Sequence, residues 1–110
     1  MLDWRDQEVI NQTVFREMNE WTMEAREGDR VATLTNSYLC ECSDCLCTAP
    51  IELKRAEYEA VRAVPINFAI AVNHENPEVD NVVVEHDRFA VVEKIGAAAT
   101  GIARATDPRR

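Results

Sequence analysis

All four cysteines of this 110-residue chain fall within eight positions, Cys40-Glu41-Cys42-Ser43-Asp44-Cys45-Leu46-Cys47. Thiolates are soft ligands, and such crowding around serine and aspartate is metal-site chemistry, with zinc the first expectation. Two ligand sets fit it. One takes all four cysteines from a single short arc. The other takes Cys40, Cys42 and Cys47 with His74 from a distant loop, and leaves Cys45 free beside the metal. Structural zinc more often ties separate segments together, which is the pattern of the second set. Disulfides fit poorly. Cys40–Cys42 and Cys45–Cys47 are too close in sequence for a relaxed bridge, whose Cα atoms sit about 5.5 Å apart. The usual iron–sulfur spacings are absent.

The elements that must position these residues follow from periodicity. Residues 4–27 read as a helix, with Asp3 as N-cap and Gly28 as stop. Ile10, Val14, Met18, Trp21 and Ala25 draw one apolar stripe. The stripe is expected to pack on the chain's own sheet; pairing with a partner helix is the alternative. After a link over 29–33, strands are expected over 34–41 and 48–53, so the cysteines lie at a hairpin tip. A short helix over 54–63 follows, then a strand over 67–72 with Phe68, Ile70 and Val72 on one face. The Asn-His-Glu-Asn-Pro loop over 73–77 carries His74. Two strands, 82–85 and 89–95, are joined by His86-Asp87-Arg88, and His86 is expected as a solvated turn residue. The fold class is α+β: an N-terminal helix, then a mainly antiparallel sheet with one further short helix. Residues 1–96 form a single zinc-stabilised domain, and 97–110 are expected as a flexible tail.

Composition narrows the function. With 46% apolar residues the chain can build a core, so a metal would add to a fold rather than create it. The formal net charge of −8 repels phosphate backbones and disfavours nucleic acid. It suits a protein partner with a basic surface. Neither a signal peptide nor a membrane-spanning run is read, so a cytoplasmic location with reduced thiols is expected. There are three glycines in all, and no phosphate loop, nucleophile elbow or His-Glu-x-x-His. No catalysis is expected. Glu41 and Glu75 adjoin the proposed ligands as conceivable general bases, but each is expected as a solvated acid.

Further residues carry a resemblance. They are Asn11, Phe15, Arg16, Glu17, Asn19 and Glu20 on the first helix, and then the segment from Cys40 to Cys47. Ile51 to Leu53, Glu57 to Arg62, the loop His74 to Glu78, and Val91 to Lys94 follow. In this layout the chain resembles a group of short, uncharacterised bacterial proteins with a Cys-Glu-Cys-Ser-Asp-x-x-Cys segment and a His-Glu-x-Pro-Glu loop. The resemblance implies Cys40, Cys42, Cys47 and His74 as the zinc set, since position 45 is not typically cysteine there. Lys54 stands where that pattern has a helix-capping threonine, which implies a weaker helix start. No activity comes with the resemblance. The reading is a small zinc-binding protein acting as a protein-interaction or regulatory module. A zinc-thiolate redox switch responding at Cys45 is the alternative, and a metal-dependent enzyme the third.

Overall fold

The computed structural model describes residues 4–25, 35–44 and 46–109. The expected cap at Asp3, the stop at Gly28 and the link over 29–33 lie outside the described residues. Helix α1 spans Trp4–Ala25. Strands β1 (Thr35–Leu39) and β2 (Pro50–Lys54) form an antiparallel hairpin, with Tyr38 opposite Ile51 and Leu39 opposite Pro50. Helix α2 (Arg55–Arg62) leads to β3 (Asn67–Ile70). Strands β4 (Asp80–Glu85) and β5 (Ala90–Lys94) complete a second antiparallel sheet of order β3-β5-β4. Helix α3 spans Ala97–Ala105.

The expected α+β class with antiparallel pairing stands, but among the described residues two helices follow α1 rather than one. The extra helix lies in the segment expected as a flexible tail. Ala99 and Ala103 of α3 are buried, and α3 packs against α1. Gly96 turns the chain into it at φ 97°, a left-handed value that a side chain would resist. Beyond α3, Asp107 is buried and pairs with Arg62, while Arg109 bonds Glu20 at 2.7 Å and Glu59 at 2.6 Å. Alanine and glycine give little periodic signal, and these partners lie far away in sequence. Strand β3 is also shorter than expected. It ends at Ile70, and Val72 sits in a turn with Asn73 at φ 69°. Asparagine tolerates that left-handed conformation, so the chain reverses here and carries His74 away from the sheet.

Helix α1 overturns the expectation for its apolar stripe. Val14, Met18 and Trp21 are 51%, 43% and 63% exposed. The face turned inward carries Val9, Gln12, Arg16, Asn19, Glu20 and Met23, which are all buried. Those six also recur at helical spacing, on the opposite side of the cylinder. Each polar one has a partner. Arg16 donates to the carbonyls of Pro65 at 2.6 Å and Ala103 at 2.8 Å, and its guanidinium lies 4.6 Å from the centre of the Phe68 ring. Gln12 accepts from Lys94 Nζ at 2.5 Å, and Lys94 pairs with Asp80 at 2.8 Å, both ends fully buried. Glu20 meets Arg62 and Arg109. Buried polar groups cost free energy unless paired, and here distant segments supply the pairs. The helix therefore docks largely by hydrogen bonds and ion pairs, and leaves Val14, Met18 and Trp21 of its apolar stripe outside with Ile10 half-buried.

The core lies between the hairpin, α2 and β3-β5, around Tyr38, Ile51, Leu53, Tyr58, Phe68 and Val92. Tyr38 and Tyr58 stack with ring centres 4.6 Å apart. Lys54 adopts extended geometry at the start of α2, and its backbone N–H is taken by the Glu57 carboxylate at 2.7 Å. Arg88 holds Glu57 in turn, at 2.7 Å. The carboxylate at the third helical position thus makes one half of a capping box; the other half, a side-chain oxygen at position 54 accepting from the first turn, is what lysine in place of threonine cannot supply.

Candidate metal centre

The cysteine segment connects β1 to β2, and hydrogen bonds give it one shape. Cys40 N–H donates to the Ala49 carbonyl at 3.2 Å, closing the hairpin's mouth. Asp44 forms the inner turn: its side chain accepts from Leu46 N–H and its carbonyl from Cys47 N–H, both at 3.0 Å. Asn11 of α1 donates to the Ser43 carbonyl at 3.0 Å. At Glu41 the segment crosses to the second sheet. Glu41 N–H donates to the Ala69 carbonyl at 2.8 Å, and Ala69 N–H donates to Glu41 Oε1 at 3.0 Å. This pairing brings the end of β3, and the His74 turn after it, beside Cys40.

Glu41 corrects the sequence reading, which held it to be a solvated acid. It is fully buried. Its Oε2 accepts from Tyr58 Oη at 2.6 Å and from Asn19 Nδ2 at 2.8 Å. Burial pushes its carboxyl above the usual range, and the bonds from Asn19, Tyr58 and Ala69 oppose that rise. Held by three donors inside the protein, Glu41 is a buried structural strut rather than a solvated acid. Glu75 does not belong to the group of four donors described next.

The ligand atoms of Cys40, Cys42, Cys47 and His74 all lie within 4.8 Å of one another. His74 Nδ1 stands 3.5 Å from Cys40 Sγ and 3.6 Å from Cys47 Sγ. A tetrahedral zinc with the usual bond lengths separates sulfur from nitrogen by about 3.6 Å and sulfur from sulfur by about 3.8 Å. The two sulfur–nitrogen separations match that tetrahedron, and the 4.8 Å that bounds the whole group is somewhat wider than a closed one. Cys40 and Cys42 are buried, Cys47 is half-buried, and His74 is exposed and closes the site from outside. Ala71 N–H donates to Cys40 Sγ at 3.1 Å, the kind of supporting bond that stabilises a thiolate ligand. None of the three cysteines forms a disulfide. Cys45, the thiol on which both the four-cysteine site and the redox alternative depend, lies outside the described residues.

Electrostatics point the same way. Cys40 and Cys42 share a hydrogen bond, which raises Cys40 above the usual thiol range together with its burial. The same bond brings Cys42 down to about 5 against the cost of its own burial. Burial likewise raises Cys47. The pocket therefore accepts one negative charge readily and resists the next. A divalent cation at its centre would remove that resistance, because it favours thiolate at every position.

His86 stays apart from this centre, in the β4–β5 turn. Its ring stacks on Phe89 at 4.8 Å and its Nδ1 accepts from Arg88 N–H at 3.4 Å. The sequence reading missed Asn11 and Asn19, which tie α1 to the cysteine segment, and Tyr58, which braces Glu41. All three stand among the residues that carry the resemblance, and Gln12, Arg16 and Asn19 draw a polar stripe at helical spacing, but neither signal named their partners. No helix among the described residues is long and apolar enough to cross a membrane. No protein-family model matches the chain, and neither a curated protein nor a solved structure matches it.

Proposed function

We propose that the chain is a zinc-binding protein whose metal is structural, held by Cys40, Cys42, Cys47 and His74, and that it works as a non-catalytic protein-interaction or regulatory module in the cytoplasm. The observation that carries the reading is the four-donor cluster with sulfur–nitrogen separations of 3.5 and 3.6 Å. Three sulfurs and one imidazole are a zinc donor set, and four protein ligands leave no open position for water or substrate. The layout shared with short bacterial proteins supports the same four residues. The net charge of −8 supports a partner with a basic surface and association that weakens with salt.

Native mass spectrometry of tag-free protein purified without chelator tests the metal. One zinc in wild type and in Cys45→Ser, lost in His74→Ala, is the expected result. Zinc kept in His74→Ala but lost in Cys45→Ser would replace the histidine by the fourth cysteine. A metal-free wild type would remove the reading.

A further inference from the structure

Among the described residues, helix α1 presents a seam of apolar side chains to solvent that the fold leaves exposed. Both tryptophans of the chain stand on it, Trp4 at 45% and Trp21 at 63% exposure, with Val14 and Met18 between them. Trp4, Val14, Met18 and Trp21 fall on the seven-residue repeat of a helix-pairing face, while Gln7 and Asn11 of the same repeat bond each other and Asn11 bonds the Ser43 carbonyl, so the free part of the face centres on 14–21. The positions diametrically opposite are Val9, Arg16 and Met23, all buried. The far side is thus locked to the body by the Arg16, Asn19 and Glu20 bonds, and the seam is held out on a rigid mount. At about 1.5 Å per residue the helix offers about 33 Å of it. Beside its C-terminal half, Met18 and Trp21 face Leu39 and Pro50 of the hairpin across a groove of about 510 Å³. Tryptophan and methionine left exposed together are the side chains that dominate binding hot spots and adaptable grooves.

Charge decides what fits there. Glu17 and Glu24 are exposed on the edge of the seam away from the hairpin, Glu17 beside Ala105–Pro108 and Glu24 beside Arg55, Pro108 and Arg109. We infer that the α1 seam docks a helix of a partner protein, with an apolar ridge on the contact face and Lys or Arg side chains set against Glu17 and Glu24. This rests on the basic-partner reading above and adds the surface that serves it. A second copy of the chain would bring a further acidic edge and another net charge of −8 to the contact, so the charge argues against it.

Two synthetic helical peptides of about 21 residues test the inference, both with leucine at the pairing positions, one flanked by lysine and the other by glutamate. Tryptophan fluorescence reads binding, because both reporters lie on the seam. The lysine peptide is expected to bind one-to-one with a blue shift, and at least about tenfold more weakly to Val14→Glu and to Trp21→Ala. The double variant Glu17→Lys/Glu24→Lys is expected to prefer the glutamate peptide. Circular dichroism checks that these surface variants keep their fold. Binding of neither peptide overturns the inference. Full affinity of Val14→Glu for the lysine peptide also overturns it, while leaving the basic-partner reading in place. A wild-type dimer in sedimentation that Val14→Glu dissolves overturns it in favour of self-pairing. Zinc is counted in the same samples: a folded, zinc-free protein that binds the lysine peptide removes the zinc reading and leaves the seam.

Discussion

Asn19 of α1 pairs with the backbone of Leu39 at both ends of its carboxamide, donating from Nδ2 to the carbonyl at 2.9 Å and accepting the N–H at Oδ1 at 2.8 Å. The side chain takes the place of a neighbouring strand at the last residue of β1. Nδ2 also donates to Glu41, one residue beyond the first cysteine. One asparagine therefore fixes the helix, the hairpin end and the buried strut of the metal loop to each other.

Asn19→Ala should be among the costlier single changes. It strands the Leu39 N–H and carbonyl and takes a donor from Glu41. At about 1–3 kcal/mol per stranded buried group, a loss of about 2–4 kcal/mol is expected. Urea unfolding of the zinc-loaded protein measures it; a loss below about 0.5 kcal/mol would show the pairing to be dispensable.

The two histidines should separate cleanly. His74→Ala is expected to abolish zinc retention and lower the melting temperature by about 5 °C or more, since a bound metal stabilises the state that holds it. His86→Ala loses the stack on Phe89 and should cost about 1 kcal/mol or less, with zinc intact. Metal analysis and thermal melts on both variants check this, and equal effects would sink the ligand assignment.

Arg16 should govern whether α3 stays docked. Arg16→Met keeps most of the volume but leaves the Pro65 and Ala103 carbonyls without their donor. An expected cost of about 2–4 kcal/mol should appear together with faster amide hydrogen exchange in residues 97–105 than in the β1–β2 hairpin. Uniform exchange across both would contradict the local role.

Acid sensitivity should include a contribution from Glu59. The hydrogen bond from Arg109 holds its carboxyl below the usual range, outweighing partial burial. As pH falls the unfolded chain takes the proton first. The stabilisation is therefore whole above about pH 4.3 and is lost as pH drops through the lowered folded value. Glu59 is 44% exposed, so solvent screening keeps the effect under about 1 kcal/mol. The stability gap between wild type and Glu59→Gln, followed by urea midpoints from pH 7 downward, should close at the acid end. A gap that widens there would reverse the sign.

Local chemistry was readable without the fold. Four cysteines crowd one turn-rich segment, which announces thiolate metal chemistry; spacing left the all-cysteine arc and the set with His74 both open, and it was the resemblance that implied the second. Alternation in the hairpins and the 3.6-residue period of α1 are likewise short-range signals, set by where side chains point along one element.

The tertiary structure alone decided which face of α1 is inside. Periodicity marks two opposite stripes on that helix, and transfer from water favours burying the apolar one. The polar stripe went in because Pro65, Ala103, Leu39, Lys94 and Arg62 supply it with hydrogen-bond and ion-pair partners, from 20 to 87 residues away, although Gln12 Nε2, Arg16 Nε and Arg62 Nη1 stay unpaired among the described residues. The same holds for Glu41, an ordinary acid in sequence, which three distant donors turn into a buried strut. Hydrogen-bond satisfaction is a property of assembled segments and leaves no period in any one of them. The nature of the donor set belongs to the sequence, and its assembly, with the outward seam of α1, belongs to the fold.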